Sequence, residues 1–127
     1  MAEDGSIQRR HPRIDAALPV RISTIEPERD PWTGKPFFRA SQEHSANLSR
    51  GGVFVRTSEP LAPGRRILLE LHLPGHDSLE AIGRVAWTRR VMSPHQNESE
   101  AGIGIEFLGG AREHFSALEK FLEHEAD

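Results

Sequence analysis

Fourteen arginines against two lysines, Lys35 and Lys120, in a chain of 127 residues point to chemistry that needs a planar cation. A guanidinium pairs bidentately with phosphate or a guanine edge and stacks on flat bases, whereas an ammonium is a point charge. The densest cluster is Arg9-Arg10-His11-Pro12-Arg13, where Pro12 blocks a helix and favours extended backbone before it. Other reactive groupings fall away. The chain has no cysteine, which removes disulfides, thiolate nucleophiles and cysteine-ligated zinc. Pro74-Gly75 keeps His72 and His76 off a common helical face and no clustered carboxylates complete a site, so they read as exposed loop histidines and no metal is expected. Ser49 has no neighbouring base and no Gly-x-Ser-x-Gly elbow, so the expectation is a protein that is not an enzyme.

Charge and composition bound the partners. A net charge of -3 argues against bulk, sequence-independent binding to long nucleic acids, which draws on many phosphate contacts. A barrel for single strands would need a basic groove interleaved with aromatics, but Tyr is absent and Phe falls mostly at core parity. With 36% apolar and 28% charged residues, one small core is affordable and disorder is not expected. The polar, acidic start has no apolar run behind it, so no secretory signal or membrane insertion is expected, and the cytosol is the default compartment.

The elements that must position the arginines are mostly strands. Residues 9–13 read as an extended arm, so the expected division is a flexible arm over residues 1–13 and a folded unit over residues 14–127. Leu18 to Ile22 alternates as a half-buried strand. Residues 26–36 hold three prolines, Trp32 and the Thr33-Gly34 turn pair, and read as a loop or irregular hairpin. Residues 37–48 form a strand, broken or bulged; Val53 to Thr57 is β-branched; Ile67 to Leu73 alternates most clearly; residues 79–90 and 103–107 follow. About six short strands predict a sandwich or closed barrel. Phe115, Leu118, Phe121 and Leu122 then mark one face of an amphipathic helix, which must bury against the barrel.

Three features stand in order: Arg9-x-x-x-Arg13, Asn47-x-Ser49-x-x-Gly52 opening a strand, and Ala101-Gly-Ile-Gly-Ile-Glu-Phe107 before the last helix. Together they resemble the PilZ domain family, across about residues 7–124. The resemblance implies an all-β fold, a six-stranded antiparallel β-barrel with a C-terminal helix, and a bacterial receptor for cyclic di-GMP with no cofactor. The second motif also occurs as Asn97-x-Ser99-x-x-Gly102. The first copy is preferred because Gly51-Gly52 runs into Val53-Phe54-Val55 and Arg50 adds positive charge, whereas Glu98 and Glu100 would repel a dianion.

Under that resemblance the ligand-binding residues are Arg9, Arg10, Arg13, Asn47, Ser49 and Gly52. Arg9 and Arg13 reach phosphates and guanines, and Arg10 adds charge. Asn47 and Ser49, two apart in a strand, leave the same face while Leu48 points inward. Asn47 offers an acceptor to guanine and Ser49 a compact hydroxyl. Gly52 permits a positive φ or a close approach of backbone to base. Trp87 suits the barrel core as well as the ligand. The expected mechanism is an arm that folds over the nucleotide and presents a new surface to a separate effector protein; the alternative is a PilZ-fold adaptor that binds its partner without nucleotide.

Overall fold

The computed structural model describes residues 13–76, 78–90 and 101–126. The main strands are β2 (Pro19–Thr24), β5 (Ala40–Leu48), β6 (Gly52–Arg56), β7 (Arg66–Leu71), β8 (Leu79–Arg89) and β9 (Gly102–Gly110). They run in the order β5-β2-β7-β8-β9-β6, and β6 pairs back onto β5, closing an antiparallel six-stranded barrel without free edges. A two-residue strand, β1 (Ile14–Asp15), lies beside the end of β5.

The expected alternation fills the interior. Val20 and Ile22 of β2, Leu69 and Leu71 of β7 and Val53 and Val55 of β6 are all buried in one cluster, while their neighbours Arg21, Leu68 and Arg56 stay outside. The helix α1 (Arg112–Ala126) begins after Ala111, whose carbonyl accepts from the His114 and Phe115 amides. Its Leu118, Phe121 and Leu122 join the barrel core, and Phe115 meets Phe107 edge-on, ring centroids 5.8 Å apart. The predicted apolar stripe is thus the packed one.

Two expectations are refined. The break expected within residues 37–48 falls between Phe37 and Ala40: Pro36–Phe37 is β4, which pairs with β3 (Glu28–Arg29) as a separate hairpin. The Arg39 amide donates to Thr24 Oγ1 at 2.9 Å and its guanidinium pairs with Glu28, drawing the chain out of the barrel before β5 starts. The break is therefore made by side chains. Phe is also less confined to the core than its parity predicts, since Phe37 and Phe38 are exposed and Phe54 faces outward between core residues Val53 and Val55.

Bulges set which face the later residues occupy. Ser45 pairs with Val55 and Asn47 with Phe54, so Ala46 is an extra residue in β5. Val85 pairs with Ile105 and Trp87 with Gly104, so Ala86 is an extra residue in β8. Each extra residue reverses the side-chain parity beyond it. Inward-facing Ser45 is consequently followed by outward Asn47 and inward Leu48, and inward Val85 by outward Trp87.

Candidate functional site

The base of the N-terminal arm is fastened to β5. Ile14 pairs with Leu48 and Asp15 with Asn47, and the Ala16 amide donates to the Ala46 carbonyl. Ser45 completes the attachment: its buried hydroxyl accepts from the Leu18 amide at 2.9 Å and donates to the Ala16 carbonyl. A buried hydroxyl satisfied on both sides fixes the chain that precedes it. Arg13, one residue ahead of β1, therefore comes to the same hollow as Asn47.

Three outward rows cross the barrel beside it. The middle row runs Asn47, Phe54, Gly104, Trp87 over four adjacent strands. Gly104 has to be glycine, because a Cβ there would collide with the Trp87 indole. Across it Phe54 and Trp87 stack with centroids 5.0 Å apart and planes at 11°. Phe54 is 8% exposed and Trp87 42%, so the phenyl is a floor and the indole a partly open shelf. A row on one side holds Arg56, Gly102 and Arg89, and a row on the other holds Gly52, Glu106 and Arg84. The Arg89 guanidinium lies 5.3 Å from the Phe54 centroid and 5.5 Å from that of Trp87, a cation–π arrangement. Arg84 is held by Glu106 at 2.7 Å.

Two adjoining open hollows of about 370 and 420 Å³ result, sharing Arg13, Asn47, Phe54 and Trp87. Four arginines face two carboxylates, Asp15 and Glu106, around them. Such a surface suits a flat aromatic anion: rings lie on the indole, phosphates meet guanidinium groups, and Asn47 supplies an amide for a base edge.

The turn from β5 to β6 forms one wall. The Ser49 amide donates to the Gly52 carbonyl at 2.9 Å, and Ser49 Oγ accepts from the Gly51 amide at 3.2 Å. Ser49 thus shapes its own turn while lining the hollow. Gly52 does not take a positive φ. Its requirement comes from the protein, since a Cβ would collide with the Ile105 carbonyl where β6 crosses β9. Arg50, expected to add charge to the site, pairs instead with Glu119 of α1 at 2.5 Å.

Of the residues read from sequence, Arg13, Asn47, Ser49 and Gly52 come together around one hollow. Arg9 and Arg10 lie outside the described residues, as do Asn97 and Ser99 of the second motif copy; its Gly102 lies in β9 against the Phe54 ring, where a Cβ would stand 2.7 Å from Cζ. Sequence reasoning missed Phe54, Arg56, Arg84 and Arg89 and left Trp87 open. The available signal was the i, i+2 spacing of Trp87 and Arg89, facing Gly104 and Gly102 across the ladder. Among the described residues no group of His, Asp and Glu is arranged to hold a metal, and no helix is long and apolar enough to cross a membrane.

The family model for the PilZ domain matches residues 7–124. The chain belongs to the PilZ domain family. Solved structures share the fold of this PilZ domain. The Bacillus subtilis inhibitor of motility MotI/DgrA superposes with a TM-score of 0.64 at 18% identity, covering 93% of this chain and 51% of that one. The chain therefore spans about half the length of the motility inhibitor. The PilZ domain of CeSA from a cellulose-synthesizing bacterium gives 0.57 at 22% identity, with 90% and 98% of the two chains covered. The PilZ domain of Escherichia coli YcgR, solved with c-di-GMP, gives 0.57 at 21% identity, with 94% of each covered. No curated protein matches this PilZ domain.

Proposed function

We propose that this PilZ domain is a bacterial cyclic di-GMP receptor, acting in the cytosol without enzymatic activity and passing the signal to a separate effector protein. The observation that carries the reading is the Phe54–Trp87 stack beside Arg13 and Asn47, with arginine rows on both sides. A cyclic dinucleotide has two flat bases and two phosphodiester charges, and this surface offers stacking, guanidinium forks and an amide together. The similarity to a PilZ domain solved with c-di-GMP supports the choice of ligand.

The arm supplies the switch. Arg13 is exposed and directly precedes the β1 attachment, which brings it to bound nucleotide, with Arg9 and Arg10 of the same arm adding cations. Arm plus ligand is then the surface that the effector reads. Isothermal titration with cyclic di-GMP tests this directly: saturable binding with one or two nucleotides per chain is expected, and GTP at equal concentration competes poorly. No heat and no thermal shift at any attainable concentration would leave the nucleotide-independent adaptor as the better reading.

A further inference from the structure

The outer face of β7, β8 and β9 carries a second pattern, of whose residues only Arg84 also lines the hollow. Leu68, Ile82 and Leu108 are 49%, 44% and 51% exposed. Leu68 pairs with Ile82 across the ladder, and Leu108 is the extra residue of a bulge opposite the Ile82–Gly83 step. The three aliphatics therefore form one continuous row over three strands, whereas isolated exposed apolar residues need no explanation.

The rows beside it are charged with opposite signs. Two residues along, at about 6.8 Å, Glu70 pairs with Glu80 on one side, and Arg66 with Arg84 on the other. Among the described residues neither Glu70 nor Glu80 is in an ion pair. Arg66 and Arg84 each have one intrachain carboxylate, Glu26 at 3.3 Å and Glu106 at 2.7 Å, which leaves further guanidinium donors available.

From this arrangement we propose that the β7–β8–β9 face docks a second copy of this chain about a twofold axis running along the Leu68–Ile82–Leu108 row. Rotation about that axis reverses each strand's direction without moving it sideways. Each aliphatic then meets its own counterpart, Glu70 meets the copy's Arg66, and Glu80 meets the copy's Arg84. Arg21, which faces Glu70 from β2, falls towards the copy's Ile25–Glu26 segment. A twofold axis along the strands would instead set Glu on Glu and Arg on Arg. The surface is thus self-complementary for one axis only, as an isologous contact requires. A contact this narrow belongs to the weak, concentration-dependent class.

The test is sedimentation velocity on ligand-free full-length protein from low micromolar to millimolar concentration, so its outcome does not depend on the nucleotide reading. The mass is expected to rise from one chain towards two. Leu68→Glu should weaken association by about tenfold or more while the thermal midpoint stays near wild type. Glu70→Arg and Arg66→Glu should each weaken it, and the double variant should recover most of the loss because the exchanged charges meet again across the axis. A monomer throughout the range overturns the proposal, as does a dimer indifferent to Leu68→Glu. If Leu68→Glu fails to fold, the charge exchange decides alone: a double variant no better than the singles overturns the assigned axis.

Discussion

The Trp87 indole lies over Gly104 and stacks on Phe54, so the aromatic shelf of the hollow exists only because β9 has no side chain at that point. A core-facing tryptophan would serve only stability. One turned outward by a bulge and left 42% exposed keeps a face for another ring.

Trp87→Ala is therefore expected to weaken cyclic di-GMP binding by about 1–3 kcal/mol, the usual contribution of one base stacked on an aromatic side chain. Calorimetry reads the loss, and the ligand-free melting temperature should fall only modestly. An unchanged affinity would reduce Trp87 to a cover for Gly104.

The same pair explains what could be read without the structure. Strand count and the helical stripe of Leu118, Phe121 and Leu122 follow from periodicity, because those residues bury on regular elements; periodicity left a sandwich and a closed barrel both open, and only the family resemblance implied closure. Arg13, Asn47, Ser49 and Gly52 were legible as a motif. Trp87 was not, because its parity with Ala81, Gly83 and Val85 assigns it to the core until Ala86 is known to be an extra residue. A bulge depends on how two strands meet, and no local propensity announces it. Arg56, Arg84 and Arg89 stayed hidden for a related reason: they are far from the motifs in sequence and reach the hollow only through the β6–β9 and β8–β9 registers. The hairpin of β3 and β4 was read as irregular, but the Arg39 contacts that separate it from β5 cross between segments and leave no local trace.

Ser45 gives a prediction that motif reading does not. Ser45→Ala leaves the Leu18 amide and the Ala16 carbonyl without their side-chain partner, which should destabilise the ligand-free fold by about 1–3 kcal/mol. Because the same bonds hold the strand that follows Arg13, cyclic di-GMP affinity should fall as well. Chemical denaturation and calorimetry on one preparation separate the two effects; stability lost with affinity intact would show that β1 does not position the arm.

Gly52→Ala probes the turn from the protein side. The added methyl collides with the Ile105 carbonyl, so the variant should melt several degrees lower with or without ligand, since overpacking typically costs about 1–3 kcal/mol. Ser49→Ala, by contrast, removes the acceptor for the Gly51 amide and a long donor contact to the Gly52 carbonyl at 3.4 Å, which keeps its bond from the Ser49 amide, and should weaken nucleotide binding more than it lowers the melting temperature. Ser99→Ala serves as the control for the duplicate motif and should leave affinity unchanged. A loss of binding in Ser99→Ala alone would mean that the second copy forms the site.

Arg13 allows binding and folding to be separated by energetics. It is exposed and precedes the first paired residue, Ile14, so Arg13→Ala should change ligand-free stability by no more than about 0.5 kcal/mol, as other surface substitutions do. Wild-type protein with cyclic di-GMP at about a hundred times its dissociation constant should gain about 2.7 kcal/mol by mass action. In a domain of this size that gain raises the melting temperature by several degrees. Truncating one side of a charge-assisted contact typically costs about 2–5 kcal/mol of binding, so Arg13→Ala at the same ligand concentration should lose most of the shift. Arg13→Lys should recover part of it, because an ammonium restores the charge without the fork that pairs with phosphate and stacks on guanine. If Arg13→Ala melts normally and keeps the full ligand shift, Arg13 is removed from the site and the hollow's cationic contacts fall to Arg56, Arg84 and Arg89.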